Sequence, residues 1–143
     1  MLPTIVLASA SPARKQLLEN AGIKPVIQVS HLDEDAITKT SSWSSPKEIA
    51  LGLAIAKAHE VAKNLAGTNT IIIGCDSVME FDGQPHGKPL DHETALDRLK
   101  IMSGGSGHLH TGHAVIWING EESQEVSQVT STEVVFHEMT TAE

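Results

Sequence analysis

The chain has 143 residues, enough for one domain with a proper core, and its 40% hydrophobic and 20% charged content is that of a globular protein. A formal charge of −8 and a pI near 5.4 exclude the basic face that a polynucleotide binder needs, although a few focused cations can still hold a small anion. The single cysteine, Cys75, excludes an internal disulfide and suits a reducing cytoplasm, and no apolar run approaches membrane-spanning length. Aromatics make up only 3%, with no tyrosine, so the core must be aliphatic.

Thr4 to Ala8 reads as a buried strand that breaks into Ser9-Ala10-Ser11-Pro12-Ala13-Arg14-Lys15 and there starts a helix. Ser11 suits the N-cap and Pro12 the first helical position, where a missing N–H costs nothing. Two serine hydroxyls, the free N–H groups of a helix start and two cations converge on this turn. That is the chemistry of a phosphate site, and equally that of an ordinary capped helix with exposed basic residues. The helix is expected to run to about Ala21, with Leu17, Leu18 and Ala21 facing inward and Gly22 closing it. Pro25 to Val29 is a short strand. Asp33-Glu34-Asp35 reads as an acidic turn, and Thr38 to Ser45 as a polar loop anchored by Trp43.

Ser45-Pro46-Lys47-Glu48 matches a capping box that opens the longest helix, ending near Gly67. Ala50, Leu53, Ala54, Ala58, Val61 and Leu65 form its apolar stripe. Lys57 interrupts that stripe, either snorkelling to solvent or pointing into a cleft to meet an anion. Thr70 to Cys75 is a continuous β-branched run expected to be buried on both faces, with Asp76-Ser77 at its carboxyl end, where open α/β sheets place their chemistry. Val78 to Phe81 continues as strand, Asp82-Gly83 is a turn, and Gly87-Lys88-Pro89 is a loop. Asp91 is expected to cap a further helix, with Leu96, Leu99 and Met102 inward. A strand from Ala114 to Ile118 turns at Asn119-Gly120 into two more, around Ser123 to Thr130 and Thr132 to His137. His108, His110 and His113 invite comparison with a zinc site, but on a strand the first two share a face and the third lies opposite. A polar hairpin base is the plainer reading.

These stretches together resemble the Maf family of nucleoside triphosphate pyrophosphatases, also described as septum-formation inhibitor proteins. The matching pieces are Leu7-Ala8-Ser9-Ala10-Ser11-Pro12-Ala13-Arg14, Asp33-Glu34, Ala54 with Lys57, and Gly74-Cys75-Asp76-Ser77-Val78. They continue with Asp82-Gly83, Gly87-Lys88-Pro89, Ser103-Gly104, Leu109-His110-Thr111-Gly112 and Thr132-Glu133-Val134-Val135-Phe136. The family often has arginine where Ala13 stands and threonine where Ser77 stands, both near base recognition. Its members also continue beyond the last matching stretch. The expected domain is therefore a single Maf-like unit over residues 1–143, shortened at its C-terminus.

The resemblance implies a mixed, twisted α/β sheet with helices on both sides and a cleft between two lobes, as in Maf and ITPase proteins. It also implies hydrolysis of a nucleoside triphosphate to the monophosphate and pyrophosphate with Mg²⁺ or Mn²⁺. On that reading Ser9, Ser11, Ala13, Arg14, Lys15, Lys57, Ser77 and Lys88 contact the substrate. Asp76 handles the attacking water, and Glu34 with Asp76 holds the metal. A cytoplasmic protein, a nucleotide substrate, no polynucleotide, no membrane and pairing as a homodimer go with it. The competing readings are a truncated homologue that only binds nucleotide or a protein partner, and a histidine-based metal-binding module.

Overall fold

The computed structural model describes residues 2–86 and 92–138. Its elements follow the order β1 (Thr4–Leu7), α1 (Pro12–Asn20), β2 (Val26–Ile27), α2 (Glu34–Thr40), α3 (Pro46–Ala62), β3 (Asn69–Phe81), β4 (Gln84–His86), α4 (His92–Met102), β5 (Ser106–Asn119) and β6 (Glu122–Val135). The six strands form one mixed sheet in the order β2-β1-β3-β5-β6, with β4 paired to β3. β1 runs parallel to β2 and β3, whereas β4, β5 and β6 pair antiparallel with their neighbours. The chain leaves β1 in one direction to reach β2, then returns past β1 to reach β3. Right-handed crossovers therefore place α1 and α3 on opposite faces of the sheet.

α3 forms where the capping residues predict. The Ser45 hydroxyl accepts from the Glu48 N–H, and the Glu48 carboxylate accepts from the Ser44 N–H, one residue before the position a strict capping box uses. Its stripe is buried as expected at Ala50, Leu53, Ala54, Ala58 and Val61. These side chains are small because the helix lies almost on the sheet backbone. A Cβ on Gly74 would come within 2.3 Å of the Ala54 carbonyl oxygen, and one on Gly112 within 2.3 Å of that of Ala50. Val6, Ile72, Ala114, Ile116 and Ile118 complete this aliphatic core. Trp43 anchors its loop as expected, its ring lying against Gly52 of α3.

Other expectations need correction. Glu34 to Thr40 is helix, not turn and loop: Asp33 caps it by accepting from the Ala36 N–H. An acidic first turn suits a helix start, but the segment has too little apolar stripe to announce itself. β3 is one strand of 13 residues, so Asp76 and Ser77 lie within it rather than at its end. It is fully buried on the α3 face, at Thr70, Ile72 and Gly74, while Ile71 and Ile73 on the other face are only half-buried. Leu17 is 68% exposed, because the inward row of short α1 runs through Arg14 and Leu18, one turn apart. α4 tucks in only Met102, leaving Leu96 and Leu99 about two-fifths exposed at 39% and 42%. The last two expected strands are the single strand β6.

Candidate active site

Two strands share one edge of β3. β1 pairs with it as far as Ile73, where the Ala8 N–H donates to the Ile73 carbonyl, and β4 begins pairing only at Met79. Among the described residues no strand pairs with Gly74 to Val78 on that side, between a lobe built on β1 and a lobe built on β4. α1 and α3 approach the gap from opposite faces. This is the topological switch point of the sheet, the place where an open α/β fold presents a crevice.

From the α3 face comes Lys57. Because Ala54 and Ala58 rest on Gly74, the lysine between them is carried to Asp76, two residues further along the same face. Its Nζ lies 2.8 Å from Asp76 Oδ1 and 2.9 Å from Glu34 Oε1 at the start of α2. The stripe-breaking lysine thus points into the cleft rather than to solvent. The Lys57 and Asp76 side chains are 14% and 15% exposed, so this ion pair is largely removed from water, whereas Glu34 is 46% exposed. Burial opposes the Lys57 charge, but hydrogen bonds to Asp76 and Glu34 outweigh it and hold its pKa above the usual value. Burial also raises the Asp76 pKa, with the Glu34 charge adding to it and Lys57 and Arg14 pulling the other way. One cation shared by two carboxylates, one of them buried, accounts for both directions.

From the opposite face comes the first turn. Ser11 caps α1 and accepts from the Arg14 N–H, with Pro12 at the first helical position as expected. Ser9 is buried, and its hydroxyl oxygen accepts from the Ser11 N–H at 3.2 Å and from Arg14 Nη1 at 2.9 Å. Arg14 Nη1 also donates to the Cys75 carbonyl at 3.3 Å, on the open edge of β3, and Nη2 donates to Ser77 Oγ at 3.0 Å. The arginine ties α1 to β3 while bringing positive charge to the gap. Lys15 pairs instead with Glu19 along the exposed side of α1, at 3.8 Å, and Ala13 is exposed in the first turn. Lys88 and its Gly-Lys-Pro loop lie outside the described residues. Burial pushes the Cys75 thiol pKa up, with the Asp76 charge adding to it and Arg14 and Lys57 pulling the other way.

Glu34 and Asp76 have the oxygen chemistry of hard-cation ligands. They already converge on one positive centre, the Lys57 ammonium, through one oxygen each. Among the described residues no group of three or more histidine, cysteine or acidic side chains could hold a metal ion. The histidine reading fails on geometry. The rings of His108 and His110 are stacked 6.1 Å apart, and His110 lies between Glu80 on Nε2 and Ser131 on Nδ1, at 2.7 Å from the latter. The Glu80–His110–Ser131 chain, with His110 buried at its centre, and the Ser77–Thr111 contact escape the sequence reading. Alternation along β5 puts His108 and His110 on one face, but not the strands beside it.

A sequence profile described as Maf-like protein matches residues 4–143. The nucleoside triphosphate pyrophosphatase of Streptomyces coelicolor is 47% identical over 136 residues, covering 95% of this chain and 63% of that protein. That of Nostoc punctiforme is 44% identical over 129 residues, covering 90% and 62%. That of Thermosynechococcus vestitus is 43% identical over 143 residues, covering 100% and 68%. The chain therefore spans a little under two-thirds of the length of the first two relatives. The solved structure of the Staphylococcus aureus Ham1 protein is similar at a TM-score of 0.49 and 18% identity, covering 92% of this chain and 72% of that one. Since the profile runs from the first strand to the last residue and takes in every element of the gap, the chain belongs to the Maf-like protein family.

Proposed function

We propose that this chain hydrolyses a nucleoside triphosphate, or a modified nucleotide of that class, to the monophosphate and pyrophosphate. The observation that carries the reading is the Lys57 ammonium, 2.8 Å from Asp76 at the open edge of β3, with Arg14, Ser9 and the start of α1 facing it across the gap. The names of the relatives support it, since those proteins are nucleoside triphosphate pyrophosphatases. In the proposed reaction a water oxygen bonds to the α-phosphorus, the bond to the bridging oxygen breaks, and pyrophosphate leaves. Asp76 accepts the water proton. Its raised pKa moves it toward the range in which a carboxylate makes a useful base at neutral pH. Arg14, Lys57 and Lys88 offset the charge on the phosphates, assisted by the Ser9 and Ser11 hydroxyls, with Lys15 at the rim and Ser77 and Ala13 toward the base. Glu34 and Asp76 would hold Mg²⁺ or Mn²⁺, which when bound adds to the neutralisation of phosphate charge.

A second reading is that the chain binds nucleotide or a protein partner without turnover. Incubation with a panel of ribo- and deoxyribonucleoside triphosphates and Mn²⁺, followed by assay of pyrophosphate, separates the two. Release with at least one nucleotide is expected. Binding of nucleotides with no release from any of them would establish the second reading. The proposal extends to a homodimer in the cytoplasm, consistent with the lone buried thiol. No helix among the described residues is long and apolar enough to cross a membrane.

A further inference from the structure

The Leu109-His110-Thr111-Gly112 stretch of β5 has no task in the mechanism above, yet one of its side chains touches the machinery. Thr111 is paired across the sheet with Ser77, on the face that α1 approaches. Its Oγ1 lies 3.0 Å from Ser77 Oγ. Arg14 Nη2 donates into that same Ser77 oxygen at 3.0 Å. A guanidinium has no lone pair to offer, so Ser77 must accept from Arg14 and its own hydroxyl proton needs another partner. Among the described residues Thr111 Oγ1 is the side-chain oxygen that pairs with it. A β-branched residue in the middle of a 14-residue strand has few rotamers, which makes it a rigid post for that contact.

We infer that Thr111 is a positioning residue: it fixes the Ser77 hydroxyl and, through it, the plane of the Arg14 guanidinium that faces the phosphates. Arg14 has its other anchors at Ser9 Oγ and the Cys75 carbonyl, both on Nη1. Nη2 is tied down by Ser77 alone among the bonds described. Without Thr111, Ser77 can turn away and the fork loses its second point of attachment. The inference rests on the pyrophosphatase reading for its phosphate-binding and kinetic consequences, whereas the guanidinium rotation is read without it.

The test compares wild type with Thr111→Val, which keeps the shape and the strand preference, and Thr111→Ser, which keeps the hydroxyl. Rotation of the Arg14 guanidinium, followed by NMR of its Cζ–N bonds, should speed up in the valine variant and return to the wild-type rate in the serine variant. Binding of inorganic tripolyphosphate should weaken about 5-fold in the valine variant and recover in the serine variant, as expected for one lost hydrogen bond. If the chain turns over nucleotide, KM should rise by a similar factor while kcat changes less than about 2-fold. Unchanged guanidinium rotation in Thr111→Val overturns the inference, as does tripolyphosphate binding equal to that of wild type. Altered rotation with no turnover by the wild-type chain would instead count against the pyrophosphatase reading and leave the positioning role standing.

Discussion

Replacing Lys57 by methionine removes the cation from between Asp76 and Glu34 while keeping an unbranched side chain only one heavy atom shorter. At an effective dielectric constant of about 20, two unit charges at this separation attract by about 6 kcal/mol. Burying the lysine takes back part of that attraction, and the second carboxylate is half in water. Removing one partner of a buried pair costs about 3–5 kcal/mol, which the exposure of Glu34 reduces to about 2–4 kcal/mol here. The cost depends on the charge left behind. Lys57 is the largest influence lowering the Asp76 pKa, so without it the carboxyl rises further above its ordinary value of about 3.9. A folded-state pKa above the unfolded one means that the folded state holds the proton more tightly. Stability of the variant is therefore greatest at acid pH and falls as pH rises through the raised Asp76 pKa. Urea unfolding of wild type and variant, followed by circular dichroism at a series of pH values from about 4 to 8, measures this. The gap between them should be small at the acid end and reach its full size at neutral pH. A gap independent of pH, or below about 0.5 kcal/mol at pH 7, would refute the reasoning.

Three further outcomes follow from the packing and the site. Gly74→Ala should destabilise by about 1–3 kcal/mol or more, because its Cβ would meet the Ala54 carbonyl at 2.3 Å and α3 would have to lift off the sheet. Thermal unfolding checks this, and a change below about 0.5 kcal/mol would show that the helix has room to move. Ser45→Ala should cost about 1 kcal/mol by leaving the Glu48 N–H without its cap, as read from chemical denaturation. Ser45→Asp should recover most of that loss.

The legible parts of the fold were those with a local chemical cause. Ser11-Pro12 and Ser45-Pro46 mark helix starts because capping satisfies nearby N–H groups, and both helices begin there. The stripe of α3 showed where it packs, and Lys57 stood out within it. Spacing could not say which way Lys57 points, since that depends on a glycine in another strand letting α3 lie close to Asp76. The resemblance grouped Asp76, Lys57 and Glu34. What brings them together is a pairing pattern: β1 stops at Ile73, β4 starts at Met79, and no described strand pairs with the residues between them on that edge. Such a gap is a property of strand register and leaves no mark in composition. The Ser77–Thr111 contact and the Glu80–His110–Ser131 relay were hidden for the same reason, since each joins residues far apart in the chain. Lys15 shows the opposite case, a cation in the right stretch that spends its charge on Glu19.

The most direct test of the account is pyrophosphate release by the wild-type chain beside Asp76→Asn, with Mn²⁺ and the nucleotide that binds best. The asparagine keeps the shape of the side chain and a partner for Lys57, while removing the base. The account predicts release by wild type and a loss of at least about 100-fold in the variant, with an unchanged circular dichroism spectrum and similar nucleotide affinity. A folded Asp76→Asn variant releasing pyrophosphate at close to the wild-type rate would contradict it.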